Sequence, residues 1–360
     1  MTVRPVVDAD AHINEDVTAW RSMHEKHPGW VQAGTSGGKL VAQIDGKLYP
    51  AQEGPGCGVP IDSATNTAAK AGAADVHVRL RDMDAEGIDV QVLFGGLAIG
   101  ITSFSDPGFA LDFAQAFNDW VLGDVCAADP ARLKGVATVP LQDVDGSIVE
   151  LARAQKAGAV AVTVPPTLGA RNLDDPSLLP FFEAAADRGM AVAVHGAPGM
   201  NLTMPGADRF SNYAQVHCLS FPVDQMVAFT ALTTGGVLDR LPDLRVAFLE
   251  AGVGWVPYFV HRLHEHYEKR AELLPGMKSE PRDYLDRGQC FFTFEAEEDM
   301  LEPYVERLGA DSLIWASDYP HWDSDFPGTV EEARTRAAGL GDDVVGRIMG
   351  GNALRLYGLA

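Results

Sequence analysis

The chain has 360 residues, of which 46% are apolar, and 28 basic against 50 acidic residues give a formal net charge of −22. A chain of this length can bury a large core, and one barrel with insertions uses most of it, so we predict a single domain over residues 1–360. The negative charge makes nucleic acid and anionic membrane surfaces poor partners, because both would be repelled at long range.

The amino terminus and the cysteines indicate an intracellular protein. Residues 1–5 lead to the acidic Asp8 without the basic-then-apolar pattern of a secretory signal, and no apolar run approaches membrane-spanning length. The four cysteines form no CxxC pair, which disfavours a zinc knuckle or a disulfide scaffold. We therefore expect a soluble, cytoplasmic protein without a membrane partner.

Strand-like and helix-like segments alternate along the chain, which is typical of βαβ units and a parallel sheet. The predicted strands cover residues 5–10, 88–94, 133–139, 159–164, 190–195, 244–250, 289–294 and 312–318. The predicted helices cover residues 76–86, 109–127, 146–157, 177–188, 223–240, 255–273 and 298–308, with two more near Val330 and Val344. Eight strands with intervening helices predict an α/β fold, the (β/α)8 TIM barrel.

A long Gly- and Pro-rich segment after the first strand, residues 18–74, interrupts this alternation. Residues 39–44 and 47–49 flank Asp45-Gly46, and alternation around Asp-Gly is a strong hairpin signal. We interpret residues 18–74 as an insertion at the barrel mouth. The hairpin is expected to lie over the carboxyl ends of the strands as a lid and to supply apolar substrate contacts.

Metal-competent side chains follow three of the predicted barrel strands. Asp10 and His12 lie two apart on the first strand and so point to one face, His195 ends the fifth strand, and Asp318 ends the eighth. Taken singly, Asp10 and His12 have the simpler interpretation of an ordinary hydrogen-bonded pair, and His195 that of a core histidine whose hydrogen bonds are satisfied. Because an α/β barrel keeps its chemistry at the carboxyl ends of its strands, we predict that all four bind one divalent metal ion, with a water position left open.

Four motifs together resemble the amidohydrolase superfamily: Asp10-Ala11-His12, His195, the segment 250–255 (EAGVGW) and the segment 316–321 (ASDYPH). More narrowly, they are similar to the branch that contains aminocarboxymuconate-semialdehyde decarboxylase and the resorcylate and carboxyvanillate decarboxylases. This resemblance covers nearly the whole chain and implies the barrel fold, a metal site and decarboxylation. The branch commonly has His or Glu where Asp10 stands, and this hard oxygen moves the preference toward manganese without excluding zinc.

The sixth strand departs from the pattern that the resemblance implies. Glu250 stands where related enzymes usually carry a histidine that binds or protonates substrate. If burial raises its pKa, Glu250 can be the general acid, while Asp318, kept ionised by the cation, is the base. A structural carboxylate is the equally weighted alternative. His321, three residues after Asp318, is the third candidate catalytic residue, at the barrel mouth.

Other polar residues have simpler interpretations. His217 falls in a second long loop, predicted over residues 196–222, and is expected to be solvated. Glu295 or Glu298 is expected to cap a helix. Asp8 is not expected to bind the same ion as Asp10, although it could support that residue. Three clustered histidines on a polar helix are expected at the surface: His261, His264 and His266.

The leading function is that of a mononuclear metal enzyme, a non-oxidative decarboxylase (carboxy-lyase) or hydrolase of a small cyclic or aromatic carboxylated substrate. The alternative reaction is metal-assisted hydrolysis of an amide, lactone or C–C bond. The alternative of another class is a barrel that binds metal and ligand without turnover. No dinucleotide cofactor is predicted, since the glycine spacing of residues 94–100 does not fit GxGxxG. The only partner predicted is a small-molecule substrate, and homo-oligomer formation is left open.

Overall fold

The computed structural model describes residues 5–60 and 70–359, and its largest sheet has eight strands, all paired in parallel with their neighbours. Two parts of the sequence-based predictions, residues 1–4 and the segment 61–69 of the insertion, lie outside the described residues. In sheet order the strands are β1 (Val7–Ile13), β5 (Val90–Gly95), β6 (Leu133–Thr138), β7 (Ala161–Val164), β10 (Ala191–Val194), β11 (Val246–Phe248), β12 (Cys290–Phe294) and β13 (Leu313–Trp315). Between β7 and β10, the short strands β8 (Thr167–Leu168) and β9 (Arg171–Asn172) form a separate two-stranded sheet. The predicted barrel is confirmed, with the strands close to their predicted positions.

The first and last strands of the sheet meet just past the end of β13. The backbone N–H of His12 donates to the carbonyl of Tyr319 at 2.7 Å, and that of Asp318 donates to the carbonyl of Asp10 at 3.1 Å. These two hydrogen bonds nearly close the sheet into a barrel. They also bring the carboxyl ends of β1 and β13 side by side, where three predicted metal ligands lie.

Helices follow most barrel strands, and several of them begin at a capping side chain. Asp75, Asp106 and Asp143 each accept hydrogen bonds from backbone N–H groups of the turn that follows. The helices are α1 (Arg21–Lys26), α2 (Val76–Glu86), α3 (Pro107–Trp120), α4 (Val144–Ala157), α5 (Leu179–Asp187), α6 (Tyr213–Thr234), α7 (Val237–Arg240), α8 (Trp255–Arg270), α9 (Pro281–Asp286), α10 (Leu301–Leu308), α11 (Thr329–Ala337), α12 (Asp342–Gly346) and α13 (Asn352–Tyr357). None of the described helices is long and apolar enough to cross a membrane.

The start of α6 differs from the prediction, which ended the preceding loop at Pro222. The helix begins ten residues before the predicted start, at Tyr213, and contains Pro222 in its interior. Asn212 caps it by accepting hydrogen bonds from the N–H groups of Ala214 and Gln215. The proline was therefore the wrong boundary, because the capping asparagine sets the start of the helix.

Apolar side chains fill the inside of the barrel. Every barrel strand contributes to one buried cluster that includes Val7, Ala9, Val92, Val136, Ala161, Ala191, Ala193, Ala247, Phe291 and Ile314. The carboxy-terminal helix α13 closes this cluster with Leu356 and Tyr357, and the Tyr357 hydroxyl donates to the carbonyl of Ala9 at 2.7 Å. The interior is thus a packed core, and polar side chains are left to the strand ends.

The insertion after β1 forms a small antiparallel sheet of β2 (Val31–Ser36), β3 (Lys39–Ile44) and β4 (Lys47–Tyr49). The predicted hairpin is confirmed, since β3 pairs with β4 and both turn residues have the positive φ that such a turn requires, 52° at Asp45 and 75° at Gly46. The Asp45 carboxylate accepts the N–H of Ser105 at 2.7 Å, and Lys47 donates to the carbonyl of Ser103. These contacts fasten the hairpin to the segment that follows the carboxyl end of β5.

Candidate metal centre and cavity

Two buried histidines from β1 and the end of β10 face each other at the floor of the barrel mouth. Nδ1 of His12 donates to the carbonyl of Gly95 at 3.2 Å, and Nδ1 of His195 donates to the carbonyl of Gly196 at 2.5 Å. Burial lowers the pKa of both rings, that of His195 to about 3. Both Nε2 atoms are then unprotonated, and they lie only 3.2 Å apart. Two facing lone pairs at this distance need a cation or a donor between them.

The two predicted carboxylate ligands lie around the same point. Oδ1 of Asp10 is 3.6 Å from Nε2 of His12, and its Oδ2 is 3.7 Å from Nε2 of His195. Oδ1 of Asp318 is 3.2 Å from Nε2 of His12. The structure therefore brings together all four side chains that are predicted from the sequence as metal ligands, with His12 at the centre of the group.

Glu250 and His321 lie beside these four residues. Oε2 of Glu250 is 3.2 Å from Nε2 of His195, and Oε1 is 3.8 Å from Nδ1 of His321. Nδ1 of His321 donates to Oδ2 of Asp318 at 2.7 Å, and its ring stacks on that of His12 with centroids 4.1 Å apart. All three candidate catalytic residues thus contact the candidate metal centre or one another.

The acidic and basic groups of the centre differ in pKa because of their surroundings. Burial, reinforced by the charge of Asp318, raises the pKa values of Asp10 and Glu250 well above the usual carboxyl range. Burial would also raise the pKa of Asp318, but the charge on His321 and the hydrogen bond that His321 donates outweigh it and lower that pKa below its usual value. In return, Asp318 overcomes the effect of burial on His321 and raises the imidazole pKa.

The donor set fits a divalent cation. Asp10, Glu250 and Asp318 each hold one buried carboxylate oxygen that accepts no hydrogen bond from the described residues. A cation at this centre would satisfy the Asp10 and Asp318 oxygens and the two facing Nε2 atoms, and hard oxygens with imidazole suit manganese as well as zinc. The backbones of Glu250 and Asp318 adopt φ values of 56° and 52°, a strained conformation for such residues that clusters at functional sites.

A buried polar network supports the strand ends that carry the site. The Asp8 carboxylate accepts the Ser317 N–H at 2.9 Å, the Ser317 hydroxyl at 2.5 Å and the Gln91 side-chain amide at 2.8 Å. Arg79 donates to the Gln91 side chain at 2.7 Å and to the carbonyl of His12. Asp8 thus fixes Ser317, the residue before Asp318, which agrees with the supporting role predicted for Asp8. No sequence pattern points to a role for Arg79, which lies on the polar helix α2.

A cavity of about 350 Å³ opens above the candidate metal centre, a volume suited to a small molecule. Besides His12, His195, Glu250 and His321, its lining includes Asn14, Glu15, Pro50, Val59, Leu97, Ile99, Met200, Tyr213, His217, Phe221, Trp322 and Asp323. The expectation of a solvated loop position for His217 is wrong, because this residue lies on α6 and lines the cavity. Among the described residues, the insertion lines the cavity with Pro50 and Val59, and none of the lining comes from the expected residues 39–49.

The remaining predictions concern residues away from the cavity. The expectation that Glu295 or Glu298 caps a helix is wrong: neither α8 nor α10 has a side-chain cap. The Glu298 carboxylate instead accepts the N–H groups of Met300 at 2.9 Å and Val253 at 2.8 Å, which precede those two helices. His264 pairs with Glu280 at 2.6 Å on the exposed side of α8, as the surface interpretation of the three clustered histidines predicts.

Comparisons with known proteins show which proteins this chain resembles. The family model described as amidohydrolase matches residues 7–359. The chain is 28% identical over 356 residues to 2-amino-3-carboxymuconate-6-semialdehyde decarboxylase of Dictyostelium discoideum, covering 97% of this chain and 91% of that protein. The predicted resemblance is confirmed.

Solved structures show the same fold. The amidohydrolase map2389c from Mycobacterium avium subsp. paratuberculosis K-10 has a TM-score of 0.78 at 22% identity, covering 99% of this chain and all of that one. A dihydroxybenzoic acid decarboxylase from Polaromonas sp. JS666, solved with manganese and 2-nitroresorcinol, has a TM-score of 0.73 at 18% identity, with 99% and 97% covered.

Proposed function

This chain is an enzyme of the amidohydrolase family, and from that premise we propose that it is a manganese-dependent decarboxylase of a small aromatic carboxylate. One observation carries the proposal. Two unprotonated Nε2 atoms, 3.2 Å apart, meet three buried carboxylates with unpaired oxygens at the floor of a cavity of about 350 Å³. A decarboxylase among the relatives and manganese in a structural neighbour support this assignment.

The proposed metal ligands are Asp10, His12, His195 and Asp318. When bound, the ion supplies positive charge that holds the substrate carboxylate and a neighbouring oxygen. The residues of the chain orient these ligands: Gly95 and Gly196 fix the imidazoles through their Nδ1 atoms.

Glu250 is the proposed proton donor. In decarboxylation the bond between the ring carbon and the carboxylate breaks, the electron pair stays on the ring carbon, carbon dioxide leaves and a proton adds to that carbon. Burial and the charge of Asp318 raise the pKa of Glu250, which favours the protonated form that a proton donor requires. Solvent returns a proton to Glu250 afterwards. Asp318 stays ionised and holds His321 at 2.7 Å.

Hydrolysis is the second candidate reaction, favoured by the contact between Asp318 and His321. The ionised Asp318 can accept a proton from an attacking water while His321, whose pKa is raised, stabilises the negative charge. The same cavity would then hold a lactone or an amide.

Turnover of defined compounds decides between these reactions. The Mn²⁺-loaded protein is offered hydroxybenzoates, lactones and amides while carbon dioxide and ring opening are measured directly. We expect carbon dioxide from a hydroxybenzoate, loss of activity on chelation and recovery with Mn²⁺ in preference to Zn²⁺. Lactone or amide cleavage without carbon dioxide would select hydrolysis, and binding without any turnover would select the non-catalytic barrel.

We also propose that the insertion, residues 18–74, acts as a lid within one domain that spans the chain. Its support is the anchoring of the hairpin to Ser103 and Ser105 and the presence of Pro50 and Val59 in the cavity wall. Replacing residues 39–49 by a short linker should raise KM or abolish turnover while metal content stays the same. Full activity of this deletion variant would rule out the lid.

A further inference from the structure

One wall of the cavity consists of aromatic side chains from two elements. Tyr213 and His217 belong to α6, and Trp322 follows β13. Nε1 of Trp322 donates to the Tyr213 hydroxyl at 2.9 Å, and the His217 ring lies 5.4 Å from that of Trp322 and 5.2 Å from that of Tyr213. A planar ring fits against such a wall, because stacked or edge contacts between aromatic groups are favourable.

The charges that line the cavity are unevenly distributed. None of the described lining residues is Lys or Arg, whereas Glu15 and Asp323 add two carboxylates to that of Glu250. Lys70 lies near this region, but its ammonium group donates to the carbonyls of His321 and Ser324 and does not line the cavity. Positive charge for an anionic ligand therefore comes from the candidate metal centre and not from the wall.

Asp323 presents a carboxylate to this wall, with 24% of its side chain exposed. Its Oδ2 lies 3.4 Å from Nε2 of His217, while its Oδ1 is buried and accepts no hydrogen bond from the described residues. A ligand in the cavity takes water away from the exposed part of this carboxylate, and a ligand O–H or N–H would replace the lost hydrogen bond. A second ligand carboxylate would instead bring two negative charges together in a poorly solvated place.

We propose, resting on the function proposed above, that the substrate is a ring with one carboxylate and a hydroxyl or amino group that donates to Asp323. The carboxylate is held at the metal centre, the ring lies against Tyr213, His217 and Trp322, and Asp323 accepts the hydrogen bond. A second carboxylate on the ring is selected against. Asp323 is thus the residue that determines substrate specificity.

Equilibrium binding of aromatic acids to the Mn²⁺-loaded protein tests this specificity, because it does not require turnover. Calorimetry compares benzoate with hydroxy-, amino- and carboxy-substituted benzoates, each with its substituent at the same ring position, in ortho, meta and para series. We expect the hydroxy or amino compound of at least one series to bind about 10-fold or more tightly than the matched dicarboxylate. Equal affinities in all three series would overturn the inference.

Two variants with the same change of charge identify the residue responsible. Asp323→Asn should reduce the affinity ratio between the hydroxy or amino compound and the matched dicarboxylate to about threefold or less. Asp325→Asn, at an exposed position outside the cavity lining, should leave this affinity ratio unchanged. An unaltered ratio in Asp323→Asn, or an equal effect of both variants, would overturn the role of Asp323. Benzoate separates the two proposals: if no ring acid binds, the proposed function fails and this inference with it, whereas benzoate binding without a substituent effect overturns this inference alone.

Discussion

The barrel interior has two levels with opposite chemistry, although the same strands build both. On β10, Ala191 and Ala193 pack in the apolar cluster, and His195, just past the strand, lies in the candidate metal centre. On β13, Ile314 belongs to the cluster, and Asp318 lies beyond the strand. The lower level is held by volume and burial, whereas each group of the upper level depends on its polar neighbours. Stability and chemistry are therefore expected to respond to different substitutions.

The largest expected effect is at Asp318, where the upper level loses its central charge. Asp318→Asn should lose the metal and lower turnover by roughly 10³-fold or more, because a ligand and the partner of His321 are removed together. Metal analysis of the purified variant and a turnover assay measure both losses. Asp325→Asn, an exposed aspartate seven residues further on, is the matched control and should behave as the unaltered protein. Retention of a full equivalent of metal by Asp318→Asn would argue against the proposed ligand set.

A smaller effect is expected at Glu250, which separates proton donation from metal binding. Glu250→Gln should keep the metal and lose roughly 10²–10⁴ in kcat, the usual contribution of a positioned proton donor. The measurement is kcat on the substrate found in the screen, with metal content determined on the same sample. Turnover near that of the unaltered protein would make Glu250 a structural carboxylate, and loss of metal would make it a ligand.

The lower level is tested by Phe291, a fully buried side chain of the apolar cluster. Phe291→Ala should lower the free energy of unfolding by about 3–5 kcal/mol, since it removes buried apolar surface and leaves a cavity. Denaturant unfolding gives this value, and the folded variant should bind metal with unchanged affinity. Phe291→Leu, which keeps more of the volume, should cost less. A loss of metal affinity without a loss of stability would show that the two levels are not separate.

The smallest expected effect is at Asp8, which connects the two levels through Ser317 and Gln91. Asp8→Asn weakens the hydrogen bonds that fix the segment before Asp318, so metal affinity should fall by about 10- to 100-fold with the ligands intact. Competition with a chelator of known affinity measures the change. Unchanged affinity would mean that Asp8 contributes only to the packing of β1.

The separation of the two levels also explains what the sequence could predict. The runs Ala161–Val164 and Ala191–Val194 are continuous and apolar, so burial alone indicated β7 and β10 to within a few residues. Asp10, His12, His195 and Asp318 were identified because each follows or ends such a run. The apolar strand runs therefore also indicate where the polar residues of the upper level begin.

Residues that act through tertiary neighbours could not be predicted in this way. Gln91 reaches Asp8 because β1 pairs with β5 in that register, which no local pattern specifies. Tyr213 and Trp322 are 109 positions apart and meet only in the folded chain. Pro222 predicts a helix boundary and thus a loop position for His217, whereas the Asn212 cap, a signal that is also present in the sequence, marks the true start of α6.

The hydrogen bonds between β1 and the segment after β13 have a further consequence. Asp8 and Ser317, 309 positions apart, are joined at the seam of the barrel, and the same seam carries Asp10, His12 and Asp318. An ion bound by these three residues would link the first strand of the barrel to the segment that follows the last strand. Its binding energy would then favour the closed ring over any state in which the first and last strands separate. Catalytic competence and closure of the fold would thus be acquired in a single event.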